Sequence, residues 1–182
     1  FIKSNNSLNN LPAIQFSGGT NNSTSSFLRI LDDPDFGDIN QMDLYALIRP
    51  TSLGNPGAQG IISKRVNQSS SDYAFTMFAW NNRSPYADIN STNGRLKGGD
   101  NILSNNNNFW LNSSFDATQP SNNRHKIYSN TVLLNTNNNL NDNEITASTR
   151  DITIGTLNEN YGKYFEGLIP EIIFPLKAIV PL

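Results

Sequence analysis

The sequence predicts an all-β protein, a two-sheet antiparallel jelly-roll β-sandwich with little or no helix. Roughly ten to twelve short runs rich in Val, Ile, Leu, Phe and Tyr are separated by Asn, Gly and Pro turns, the pattern of a sandwich or jelly roll. No segment sustains a 3.6-residue apolar period. The two chain ends also suit each other. Ala13–Gly19 is a short alternating strand that stops at two glycines, and Tyr164–Ala178 carries apolar residues on both faces, as a central strand covered on both sides would. Pairing of the ends predicts one domain over 13–178, after an irregular lead-in at 1–12 and before a tail at 179–182.

The intervening elements follow in order. A polar loop from Gly18 to Ser26 leads to a strand at Phe27–Leu31, broken by Asp32-Asp33-Pro34-Asp35. Asp43–Pro50 is a strong strand stopped by its proline, and Gly60–Arg65 follows a Gly/Pro loop. Tyr73–Trp80 is the most β-prone run. Its alternation predicts Tyr73, Phe75 and Met77 on one face and Phe78 and Trp80 on the other. Tyr86–Ile89 and Gly94–Lys97 are shorter strands, and Phe109–Asp116 follows a polar tip at Asn105–Asn108. His125–Leu134 reads as two strands around a tight Ser129-Asn130 turn, and Asp151–Gly155 precedes the closing strand. In that closing strand Leu168, Ile172 and Phe174 are expected on one face, with Ile169, Glu171 and Ile173 on the other.

Composition narrows the function classes. The 182-residue chain carries 13 Lys+Arg against 15 Asp+Glu, which leaves no basic footprint for nucleic acid and no polybasic patch for a membrane surface. Roughly 30 asparagines and about 19 serines occupy the surface where charged residues are usual. Cysteine is absent, which removes disulfide scaffolds, thiolate zinc sites and cysteine nucleophiles. No run of about 18 apolar residues is present, so membrane insertion by a helix is not expected.

Several segments in order resemble the LamG-like domains of the concanavalin A-like lectin/glucanase fold. They are AIQFSGGTNN…FLRI, MDLYALIRPTS with GIISKR, FWLNSSFDA…HKIYSNTVLL and DITIGT…YFEGLIPEIIFPLKA. Thr131 stands where that family usually turns on glycine, and Pro170 where an acidic residue is usual; Thr20, Asn21 and Asn22 replace frequent aspartates. The resemblance implies the sandwich fold and, for its glucanase members, a Glu-x-Asp-x-Glu strand. Among Glu144, Glu159, Glu166 and Glu171 none forms that pattern. Glu166 and Glu171 are five apart, which puts them on opposite faces unless a bulge intervenes.

Sugar recognition asks for an aromatic platform beside amides and hydroxyls. Trp80, Asn81, Asn82 and Arg83 with Tyr86, at a hairpin tip, fit that description, and Asn108 with Trp110 is a second candidate, although Trp110 reads better as a core-edge residue. Calcium is the ion such a fold implies, with Asp32, Asp33 and Asp35, or Asn21 and Asn22 with Glu171, as candidate oxygen ligands. His125, the single histidine, is expected to be a surface strand residue.

These features lead to a non-catalytic extracellular recognition module that binds carbohydrate or a surface glycoconjugate, located outside the cell or on a cell or virion surface. The alternative is a structural or adhesive domain of a surface assembly, in contact with other copies or domains. A glycan-active enzyme ranks third.

Overall fold

Strict alternation along one long strand decides which side of the first sheet faces inward. In Gln41–Pro50, Met42, Leu44, Ala46 and Ile48 are buried, while Asp43, Tyr45, Leu47 and Arg49 are half-buried on the other side. The structure, a computed structural model, describes residues 12–19, 25–33, 36, 38–53, 57–66, 72–137, 140–157, 163–174 and 176–177. Strands among them are β1 (Ile14–Ser17), β2 (Leu28–Ile30), β3 (Gln41–Pro50), β4 (Gln59–Arg65), β5 (Tyr73–Ala79), β6 (Pro85–Ile89) and β7 (Ser91–Lys97). The second half adds β8 (Phe109–Asp116), β9 (His125–Ser129), β10 (Val132–Thr136), β11 (Ile152–Ile154), β12 (Glu166–Ile173) and β13 (Leu176–Lys177). No α-helix occurs among the described residues, and no described helix is long and apolar enough to cross a membrane.

Two antiparallel sheets form the sandwich. The first runs β1-β12-β3-β8-β9-β10, with β13 also on β3, and the second runs β2-β11-β4-β5-β6-β7. β1 and β12 pair as their alternation predicts, with Ile14 opposite Ile169 and Phe16 opposite Gly167. Between the sheets Leu44, Ile48, Leu111 and Phe115 pack against Ile61, Ile62, Phe75 and Met77. Burying each such side chain contributes about 1.5–3 kcal/mol. Just after β11, Gly155 holds φ +87°, and a Cβ there would lie 2.2 Å from the Phe16 ring. Glycine thus provides both the backbone conformation and the seat for Phe16.

Two bulges correct the facing predicted from simple alternation. In β12, Leu168 lies opposite Arg49 and Glu171 opposite Leu47, so Ile169 and Pro170 together face Ile48. Proline has no N–H to give the ladder and is accommodated at this irregularity. The shift places Ile169 in the core with Ile172 and Phe174 packed beside it, and leaves Leu168, Glu171 and Ile173 on the outer side. Glu166 and Glu171 therefore share a face after all, separated by about 10–13 Å at about 3.3 Å per residue. In β5, Arg65 pairs with Tyr73 and Lys64 with Phe75, which makes Ala74 the extra residue. Tyr73 consequently leaves the face of Phe75 and Met77 and turns toward Arg65 and Asp88.

Two local expectations also change. His125 is fully buried, not a surface residue. The β9–β10 turn is centred on Asn130 and Thr131, with φ of 48° and 70°, rather than on Ser129-Asn130. Positive φ at both central residues is the geometry that lets a two-residue hairpin follow strand twist.

Candidate functional site

The outer face of the first sheet is built from alternate residues of three adjacent strands. Asp43, Tyr45 and Leu47 of β3 lie opposite Ser114, Asn112 and Trp110 of β8. Asn112 and Ser114 in turn lie opposite Tyr128 and Lys126 of β9. Tyr45, Asn112 and Tyr128 thus form one row across the sheet, about 10 Å from end to end. A polar or aromatic residue at every second position costs nothing here, because the opposite positions fill the core.

Over this row opens a cleft of about 320 Å³, lined by Asp43, Tyr45, Trp110, Asn112, Ser114, Tyr128 and Thr131. The Tyr45 and Trp110 rings lie 6.2 Å apart and 29° from parallel, a continuous aromatic surface along one wall. Asn130 secures the neighbouring turn to β8. Its N–H donates to Trp110 O at 2.8 Å, and its Oδ1 accepts from Trp110 N at 2.9 Å. The amide of Asn112 is oriented by a bond from Nδ2 to Leu44 O at 3.4 Å. Partial burial, then the charge of Asp43, hold both the Tyr45 and Tyr128 hydroxyls above the usual phenol range; Tyr128 adds a smaller push on Tyr45. Both phenols are therefore protonated donors at neutral pH. The arrangement combines flat apolar surface with hydroxyl, amide and carboxylate groups.

The candidates drawn from sequence fall in two places. Trp80 and Tyr86 do meet at the β5–β6 hairpin, with rings 6.2 Å apart, and Trp80 is 38% exposed. Phe78 stacks on Tyr86 at 5.0 Å, and the Arg95 guanidinium lies 5.3 Å from the Phe78 ring centre. Asn82, however, spends its amide within the fold: Nδ2 donates to Asp100, and Oδ1 accepts from Ser84 N at 3.2 Å. Asn81 and Arg83 are exposed at the tip, where Arg83 has φ 61° and donates its N–H to Trp80 O at 2.8 Å. Asn108 is exposed just before β8, and Trp110 lies in the outer-face cleft, on the other sheet from Trp80. Sequence alone does not mark Asp43, Tyr45, Asn112, Ser114 and Tyr128 as site residues, and it marks Thr131 only as a departure from glycine at a turn. The alternation of Asp43/Tyr45 and of Trp110/Asn112/Ser114 places each set on a face, but strand order is needed to join the sets.

For calcium, Asn21, Asn22 and Asp35 lie outside the described residues. Asp32 pairs its Oδ1 with the buried Lys64 ammonium, and its N–H donates to Asp151 Oδ1 at 2.8 Å. Asp33 accepts from Phe36 N through its backbone carbonyl at 2.9 Å. Glu171 is exposed on β12, in the opposite sheet from the strand that leads to Asp32. Among the described residues no three acidic or histidine side chains converge, so those described do not fit one coordination shell.

The architecture is a concanavalin A-like jelly roll. No family model matches the sequence, and no curated protein matches it. The carbohydrate-binding module CBM40 of the Ruminococcus gnavus IT-sialidase, solved with α2,3-sialyllactose, is similar at TM-score 0.68 and 15% identity, over 92% of this chain and 91% of that one. The heptameric SAP-like pentraxin of Limulus polyphemus is similar at TM-score 0.65 and 16% identity, over 89% of this chain and 74% of that one. At such identities the likeness is one of fold.

Proposed function

We propose that this chain is a LamG-like carbohydrate-binding module that holds a saccharide on the outer face of its first sheet. The observation that carries this is the cleft, in which the Tyr45–Trp110 surface is flanked by Asn112, Ser114, Tyr128, Thr131 and Asp43. A pyranose ring presents an apolar face and a rim of hydroxyls, and this wall and floor offer a partner to each. The bound sialyllactose of the structurally similar CBM40 module supports the reading. In this reading the module is non-catalytic and works outside the cell, displayed on a cell or particle surface. Glycan-array screening followed by calorimetry tests it. Trp110→Ala and Tyr128→Ala should weaken binding by about thirtyfold, whereas Trp80→Ala, on the other sheet, should leave it unchanged. An unaltered affinity in Trp110→Ala would overturn the assignment.

A second reading, a subunit of a surface assembly, draws on β10. This edge strand exposes Val132 at 62% and Leu133 at 49%, an apolar margin available to another copy. Sedimentation of the wild type against Val132→Lys/Leu133→Lys distinguishes it: assembly lost in the variant supports this reading, and a wild type that remains monomeric at high concentration removes it.

A further inference from the structure

The charges lining the cleft bear on which saccharides can enter. Among the seven described lining residues the one charged side chain is the Asp43 carboxylate, and none is lysine, arginine or histidine. An anionic sugar ordinarily requires a cation aimed at its carboxylate or sulfate, most often a guanidinium in two-point contact. Two described cations of this face, Arg49 and Lys126, lie outside the lining. Arg49 donates from Nε to the Asn106 carbonyl at 3.1 Å, beyond Leu47 on β3. Lys126 lies opposite Ser114 on the β9 side, outside the lining. Glu171, opposite Leu47, adds a second negative charge to the same face.

Asp43 lines the cleft from β3, opposite Ser114. Its side chain lines the same cleft as Tyr45 and Tyr128, and its charge acts on both phenols. An ionised carboxylate accepts from sugar hydroxyls and makes stronger bonds than a neutral acceptor would. The same group repels a sugar carboxylate, and in a partly desolvated cleft the repulsion is screened little.

We infer that the cleft selects uncharged saccharides, with the Asp43 carboxylate accepting from ligand hydroxyls and rejecting sialylated, uronic or sulfated glycans. The inference rests on the carbohydrate reading above, and its selectivity is opposite in sign to that of a sialic-acid site. Asp43 is then the specificity-determining residue, while the Tyr45–Trp110 wall supplies affinity for any pyranose.

The test uses the wild-type chain on an array of matched glycans, each neutral structure paired with its sialylated, uronic or sulfated derivative. Wild type should bind neutral members at least about tenfold more tightly than their acidic counterparts. Asp43→Asn should lose about tenfold for the neutral ligand and narrow the gap to the acidic one, with an unchanged melting temperature. Lys126→Ala should leave the selectivity as it is. Wild type binding an acidic glycan as tightly as its neutral pair, with Trp110→Ala still weakening binding, would overturn this inference and leave the carbohydrate reading standing. Absence of binding to every glycan would overturn both.

Discussion

Tyr45 and Trp110 sit on adjacent strands two residues out of direct register, and their rings lie 6.2 Å apart at 29°. This diagonal contact makes two separate side chains into one surface wide enough for a sugar ring. Truncating either ring should cost about 2 kcal/mol of saccharide binding, or about thirtyfold, as for a central aromatic contact. Calorimetry on Trp110→Ala and Tyr45→Ala reads this directly. In Trp110→Phe, which keeps a flat ring, most of the affinity should return.

Thr131 adopts φ 70°, a left-handed conformation that a β-branched residue reaches only at a cost. Relief of that strain outweighs the entropy glycine adds to the unfolded chain, so Thr131→Gly should stabilise the fold by about 0.5–1 kcal/mol. Urea unfolding measures the gain. Because Thr131 also lines the cleft, glycan affinity should fall in the same variant. A destabilised Thr131→Gly protein would contradict the strain argument.

Asp88 is buried and accepts two bonds from Arg95, at 2.8 and 2.7 Å, with the Arg65 guanidinium 3.8 Å away and the Tyr73 hydroxyl donating to it. Removing its charge leaves buried guanidinium uncompensated, and Asp88→Asn should destabilise by about 3–5 kcal/mol. Tyr73→Phe removes only the bridging hydroxyl and should cost about 1–3 kcal/mol. Denaturant midpoints of the two variants should therefore fall in that order, and equal midpoints would show that the charge itself contributes little.

His125 lies between two polar partners inside the sandwich. Gly94 O can only accept, so Nδ1–H donates to it at 3.1 Å, and the Ser113 hydroxyl donates to Nε2 at 3.0 Å. Burial lowers the imidazole pKa from 6.5 to about 4, opposed in part by the Gly94 bond. The unfolded chain thus takes up a proton at a pH where the native chain does not. Stability from this group is complete above about pH 6.5, is lost progressively down to about pH 4, and amounts to about 3 kcal/mol. Unfolding free energy measured at intervals across that window should slope more steeply in wild type than in His125→Gln. Parallel slopes would remove His125 as the cause.

Much of the fold was legible because strand signals are local. Asp43–Pro50 ends at its proline, Phe109–Asp116 has the predicted bounds, and the union of Ala13–Gly19 with the closing strand follows from complementary alternation. Simple alternation misplaces a face where one extra residue shifts the register. Nothing in the composition of β12 specifies that Ile169 and Pro170 share Ile48 as a partner, and the faces of Leu168 and Ile169 exchange because of it. His125 is buried against the expectation for a related reason: the two partners that satisfy its ring, Ser113 and Gly94, come from other strands.

Trp80 and Trp110 mark the division between chain and fold. Local sequence determined that each tryptophan ends or opens a strand beside asparagines, that the chain is all-β, and that its surface is polar and nearly neutral. Which tryptophan stands in a cleft was decided only in three dimensions. The order β3-β8-β9 brings Asp43, Tyr45, Trp110, Asn112 and Tyr128 from three distant stretches onto one face. Alternation sets the face of each residue by the geometry of a single strand, whereas a site needs neighbours, and neighbours are set by the long-range packing of strands whose pairing no short stretch encodes.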